Sequence, residues 1–295
     1  MFAAVAKTPA AQDLLRHLEN GGVVPVAGVA AGAQPFLTAW LRHIFPGRAL
    51  LAIVDGVKAQ EMFHQDLNTW LAVAPLDNPH PAPLFYPAWE VLPHESKLPH
   101  VDVISERLET LVALANTTAP VVIASVTAVT QKTFSATALK SRMRTLRRGD
   151  NVDPMEIMEW LEAHGYEPEA QVNGKGECAL RGGILDVFPL NSPWPVRVEF
   201  FGDDLESLRC FDPVTQISRE TIAEITLPPG GELGILKRLI ERDDPAPAVA
   251  ATLIDHLPAN TIYILCEPER LDDHASQYAQ TLPANDPFHV DWAGL

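Results

Sequence analysis

The sequence predicts an α/β protein in which a parallel sheet covered by helices is interrupted by a smaller α+β module built on an antiparallel sheet. Three observations point there. Strand-like and helix-like runs alternate through residues 1–139, short alternating strands crowd together within 140–229, and a helix followed by a buried-strand pattern returns over 230–295. With 295 residues, 47% of them hydrophobic, the chain has about two domains' worth of material and enough apolar side chain for a sizeable core.

In chain order, "GGVVPVAG" is expected to be the first strand, followed by a glycine loop and a helix around Leu37 to Ile44. "RALLAIV" is the next strand. "AQEMFHQDLNTWL" has helical spacing, with Met62, Phe63, Leu67 and Trp70 turned inward. "PLFYP" is a short strand, and "VDVISERLETLVALA" is an amphipathic helix with Ile104, Leu108, Leu111 and Leu114 on its core face and Asp102 as its N-cap. "PVVIASVTAV" is a continuous apolar run of the kind buried on both faces of a parallel sheet.

The texture changes near Lys140. "LKSRMRTLRRGD" alternates basic and apolar residues like a half-exposed strand. "DPMEIMEWLEAHGY" is a helix capped by Asp153, with Pro154 in its first position, Glu156 completing a capping pattern and Gly165 stopping it. Three strands follow in "GECALRGGILDVFP", "WPVRVEFF" and "ESLRCFD", the last two joined by a "GDD" hairpin. "PPGGE" marks a junction; "ELGILKRLIERDDPAPAVAATLIDHL" and "TIYILCEPERL" then resume the parallel sheet. The expected organisation is a first part of the α/β domain at 1–139, an inserted module at 140–229 and a continuation of the α/β domain at 230–295.

Charge excludes some functions. A net charge of −16 argues against a general nucleic-acid-binding surface. Cys178, Cys210 and Cys266 form no C-x-x-C pair and no metal spacing, which suits a reduced, cytoplasmic protein. Neither a secretory leader nor a membrane span is recognisable, so a soluble intracellular chain is expected.

"PVAGVAAGAQPF" raises the question of a nucleotide. Laid on the phosphate-loop template, Gly28 and Gly32 keep the glycine-rich shape, but Ala33, Gln34 and Pro35 replace the second glycine, the lysine and the hydroxyl. The stretch reads either as an ordinary strand-to-helix turn or as a phosphate loop that has lost its charge.

The most informative residues lie in the inserted module. In "VRVEFFGDD", alternation puts Val198 and Phe200 on one face and Arg197, Glu199 and Phe201 on the other. The second face carries charge and is expected to be wet. Phe201 is then an exposed aromatic beside a guanidinium, the composition of a protein-binding hot spot, unless a bulge turns it inward. Arg181, just before Gly182 and Gly183, matters only if it falls beside Arg197.

The strings "FYPAWEVLPHESKLPHVDVISERLETLVAL", "VVIASVTAVTQKTF" and "GYEPEAQVNGKGECALRGGILDVFPLNSPWPVRVEFFGDDLESLRCFDPVTQ" resemble the N-terminal part of bacterial transcription-repair coupling factors, the Mfd family, a region itself similar to the excision-repair subunit UvrB. The resemblance implies a RecA-like parallel-sheet domain with a degenerate P-loop, kept as a scaffold that packs the sheet. It carries an inserted module that docks on UvrA, the damage-recognition ATPase. It implies no catalytic residue, cofactor or metal. The family's UvrA-contacting arginines and phenylalanine match Arg181 in "LRGG", Arg197 in "PVRVEF" and Phe201 in "EFFGDD". It further implies that the chain is the N-terminal fragment of a longer protein. C-terminal domains of that protein would cover the partner surface, and other regions would engage RNA polymerase and DNA.

Competing expectations are a divergent NTPase or helicase half using the loop from Gly28 to Gln34, and a DNA track along Lys140, Arg142, Arg144, Arg147 and Arg148, balanced by Glu156, Glu159 and Glu162. His94 and His100 around Glu95 form a weak metal candidate, and Asp203 and Asp204 fit a hairpin turn better than acid-base chemistry.

Overall fold

The computed structural model describes residues 2–73, 81–241 and 249–295. Its strands are β1 (Leu50–Val54), β2 (Leu84–Tyr86), β3 (Val121–Ser125), β4 (Thr133–Phe134), β5 (Arg144–Arg147), β6 (Glu167–Pro168) and β7 (Glu177–Arg181). β8 (Ile184–Val187), β9 (Val196–Phe201), β10 (Asp204–Phe211), β11 (Ser218–Ile222), β12 (Glu224–Leu227), β13 (Ala250–Ala251) and β14 (Ile262–Leu265) follow.

β14, β1, β3 and β2 form a four-stranded sheet in that order, parallel throughout. Every residue of β1 and β3 is buried, because helices cover both faces. Leu50, Ala52 and Val54 pack with Trp40, Phe63 and Leu67 on one side, whereas Leu51 and Ile53 pack with Leu108, Leu111 and Leu271 on the other. The chain leaves this sheet after β3 and returns to it only at β14, which lies beside β1.

Between those points it builds a six-stranded sheet, ordered β11-β10-β9-β8-β7-β6, antiparallel except for the β6–β7 pair. Val196, Val198 and Phe200 turn inward with Leu185, Val187, Leu205 and Leu208 against Ile157, Met158 and Leu161 of the helix Pro154–Ala163. That helix is capped as expected, Asp153 accepting from the Met155 amide at 2.8 Å, and Gly165 stops it with φ 93°.

A buried ion pair ties the junction after β12 to the parallel sheet. Glu232 accepts from Arg107 Nε at 2.7 Å and Nη2 at 3.0 Å, from Trp89 Nε1 at 3.0 Å and from Thr133 Oγ1 at 2.6 Å. The guanidinium carbon of Arg107 stands 4.2 Å from the Tyr86 ring centroid and 4.6 Å from that of Trp89. Both charges are fully buried.

Several local expectations are corrected. "GGVVPVAG" is not a strand: Val23 is 98% exposed and Gly21 and Gly22 have φ 78° and 108°. Pro25 offers no amide hydrogen, and exposed valines gain no packing that would hold an extended chain in a sheet. The glycine loop therefore does not pack the sheet. A Cβ on Gly28 or Gly32 would meet nothing within 4 Å, and the contacts come instead from Thr38, Ala39, Trp40 and Leu41 of the helix Gln34–Ile44. Gln34 donates to Glu267 at 2.7 Å.

Met62 is exposed, while Phe63 and Leu67, four residues apart, hold the buried stripe. His100, not Asp102, caps the helix Val101–Asn116, its Nδ1 accepting from the Asp102 amide at 3.3 Å. The run "PVVIASVTAV" breaks at Ser125, whose hydroxyl caps the short helix Val126–Thr130. Of "LKSRMRTLRRGD", only Arg144–Arg147 is strand, and Lys140 ends the helix Ala136–Lys140. Glu156 bonds Arg144 at 2.9 Å rather than closing a capping box. The helical pattern expected beyond Pro229 is present over Leu233–Glu241; its continuation through 242–248 lies outside the described residues.

Candidate partner-binding face

Two hairpin tips define one end of the six-stranded sheet. Arg181 ends β7 just before Gly182, with φ 61°, and Phe201 ends β9 just before Gly202, also with φ 61°. Because β8 runs antiparallel to both, the two tips lie at the same end. Gly183 is fixed by crowding: a Cβ there would stand 2.7 Å from the Phe200 carbonyl oxygen, and its own carbonyl accepts from the Phe200 amide at 2.7 Å.

Register assembles the outer face. Arg181 lies opposite Ile184, Ile184 opposite Glu199, and Asp186 opposite Arg197. The Asp186 side chain is fully buried and accepts from Arg197 Nε at 2.7 Å, from Arg197 Nη2 at 2.8 Å and from Arg181 Nη2 at 2.9 Å. These bonds hold the Arg197 guanidinium above its ordinary pKa, against desolvation that pulls it down. Its carbon also stands 4.8 Å over the Phe211 ring. Phe211 belongs to a small apolar group with Val172, Ala179 and Phe188. The outer face is thus dry around Arg197, whose side chain is only 19% exposed, and wet at the tips, where the Arg181 side chain is 51% exposed.

Phe201 is 75% exposed. The alternation in "VRVEFF" is kept, since the register shift falls in β10, between Leu205 and Ser207, and leaves β9 regular. The three sequence-predicted residues therefore share one face, with both arginines on one carboxylate. The sequence reading missed that carboxylate. Its signal was an Asp between the inward Leu185 and Val187 in "ILDVF", on the parity of the outer face. It also missed Glu199 as a second ionic centre, which accepts from Ser207 Oγ at 2.6 Å and Arg209 Nη2 at 2.5 Å, and Ile184, an exposed apolar neighbour.

The other candidates do not assemble. Arg144 pairs with Glu156 at 2.9 Å and Arg147 with Glu224 at 2.7 Å, Arg142 donates to the Ala138 carbonyl, and Lys140 lies on the helix Ala136–Lys140 rather than on the strand Arg144–Arg147. His94 lies 4.0 Å from Asp286 while His100 caps a helix, and among the described residues no three potential metal ligands converge. Asp203 sits in the β9–β10 turn, and Asp204 accepts from Asn151 at 2.7 Å. Among the described residues no helix is long and apolar enough to cross a membrane. A cleft of about 630 Å³ opens at the carboxyl ends of β1, β2 and β3; Asp55, Glu61, Glu90 and Glu106 line it with His64 and His274. Burial and then the neighbouring Glu109 and Asp102 raise the Glu106 carboxyl above its usual range.

Residues 145–232, which include Arg181, Arg197 and Phe201, match the family described as the UvrB interaction domain. The chain is 36% identical over 149 residues to the transcription-repair-coupling factor of Haemophilus influenzae, covering 50% of this chain and 13% of that protein. It is 36% identical over 153 residues to that of Escherichia coli, again 13% of the relative, and 33% identical over 150 residues to that of Bacillus subtilis, also 13%. The chain is homologous over about half its length to bacterial transcription-repair-coupling factors, and it contains a UvrB interaction domain.

Proposed function

We propose that this chain is a non-catalytic recruitment module that binds UvrA through Arg181, Arg197 and Phe201, in a coupling factor that delivers UvrA to stalled RNA polymerase. The observation that carries the proposal is the exposed Phe201 ring at the same sheet end as a half-exposed guanidinium. Aromatic and Arg side chains dominate interface energetics, and an exposed ring and a half-exposed guanidinium at one sheet end supply both. Phe201 fills an apolar pocket on the partner, and the arginines face its carboxylates. In this reading the chain works in the cytoplasm and needs no cofactor. RNA polymerase and DNA are engaged by other regions of the full-length protein, and its C-terminal domains mask the face until recruitment. The test is a UvrA titration of wild type and Phe201→Ala, whose ring is outside the buried cluster: a weakened complex with an unchanged melting temperature supports the reading, and equal affinity removes it.

A second reading, a divergent NTPase half in a RecA-like domain, draws on the cleft at the carboxyl ends of the parallel strands, where open α/β sheets usually bind ligands. Its lining speaks against it. Asp55, Glu61, Glu90 and Glu106 would face a polyphosphate, and no Lys or Arg is among the lining residues. Micromolar Mg-ATP binding by calorimetry would restore the enzymatic reading.

A further inference from the structure

We propose that Asp186 is the positioning residue of this face: it clamps Arg197 through two hydrogen bonds and Arg181 through a third, so that both guanidinium groups meet a partner as one rigid unit. The proposal rests on the UvrA-binding reading for its partner and on the geometry alone for its clamp.

The argument begins with satisfaction. A fully buried carboxylate on a half-wet sheet face is costly unless it is hydrogen-bonded, and here three charge-assisted bonds engage both of its oxygens. Gln216 adds a further acceptor to Arg197 Nη2 at 3.4 Å and is itself anchored by donating to the Pro213 and Val172 carbonyls at 2.8 and 3.2 Å. Packing over Phe211 closes the other side. Arg197 therefore has its Nε and Nη2 engaged inside the chain, and the fork on its Nε edge is spent on Asp186. This changes how the site would work. Arg181, more exposed and held by a single bond, keeps its remaining donors for a partner carboxylate. Arg197 supplies a fixed positive charge beside it. Two cations on one anion leave a net positive centre, which suits an acidic partner surface.

The test separates the clamp from the partner. In ¹⁵N-labelled free chain, the Arg197 Nε–H signal is identified by its loss in Arg197→Lys. It is expected to exchange slowly in wild type and to join the fast-exchanging exposed arginines in Asp186→Asn; an unchanged signal overturns the clamp. In UvrA titrations, Asp186→Asn is expected to weaken wild type about tenfold but the Arg197→Ala background less than threefold, the mark of groups acting as one unit. Equal losses in both backgrounds overturn the proposal. If Asp186→Asn does not fold, Arg197→Lys decides: it keeps the charge without the guanidinium fork, and wild-type affinity would contradict a positional role. Failure of wild type itself to bind UvrA removes the partner reading, while the exchange measurement still decides whether Asp186 fixes Arg197.

Discussion

Asp186 lies directly across the β8–β9 register from Arg197, and its two oxygens take the Arg197 Nε and Nη2 hydrogens at 2.7 and 2.8 Å. One cross-strand pair thus anchors the outer face of a sheet whose inner face is an ordinary apolar core. Phe201 and Arg181 lie outside the buried cluster, so substitution at either leaves that apolar core in place.

At Gly183 the proposed binding face meets a backbone constraint of the fold. Gly183→Ala would place a methyl against the Phe200 carbonyl, which belongs to backbone and cannot swing away. The variant is expected to lose about 1–3 kcal/mol of stability. Chemical denaturation measures it, and amide shifts should move at Phe200 and Phe201.

The Arg107–Glu232 pair is predicted to be critical when broken and dispensable when replaced. Glu232→Ala strands a buried guanidinium and should cost about 3–5 kcal/mol. Arg107→Met with Glu232→Leu should recover much of that loss, because both desolvation penalties disappear together. Thermal melts of the single and double variants compare the two.

Thiol labelling checks the buried cysteines. Burial pushes Cys178 and Cys266 up to about 12 and raises Cys210 as well, and all three side chains are buried. At pH 8 neither thiolate nor access is available. A thiol-reactive probe should modify none of them in the folded chain and all of them in denaturant.

Acid should destabilise the protein before most carboxylates titrate. Burial holds His164, His256 and His289 below the ordinary 6.5, and at His256 it outweighs the opposing pull of the Nε2 hydrogen bond to the Phe134 carbonyl oxygen at 2.8 Å. Below pH 6.5 the unfolded chain binds protons that the folded chain refuses, so stability rises with pH across this window and falls as pH drops through it. Glu106 acts with the opposite sign, since its raised carboxyl takes up a proton more readily folded than unfolded. The melting temperature should be lower at pH 5.5 than at pH 7.5, and His256→Gln should shrink the difference.

Local patterns were legible where they determined the structure locally. Alternation in "VRVEFF" sorted five residues onto their correct faces and "GDD" marked the β9–β10 hairpin, whereas "GECALRGGILDVFP", read as one strand, is two, β7 and β8, folded back on each other at Gly182 and Gly183. The partnership of Asp186 with Arg197 was not legible, because β8 and β9 are joined by the longer 188–195 connection, which does not dictate register. "GGVVPVAG" failed for a related reason. An apolar run becomes a strand only if a neighbour pairs with it, and no neighbour is written in the run itself. Nor could composition reveal that Val172, Phe188 and Phe211 dry one end of a charged face.

The most direct test of the central claim pairs UvrA affinity with thermal stability in Phe201→Ala. With the ring 75% exposed, the variant should melt within about 1 °C of wild type. Its binding should weaken by about 2 kcal/mol, roughly thirtyfold. Unchanged affinity, or a loss of stability that matches the loss of binding, would contradict a dedicated partner-binding face at this end of the sheet.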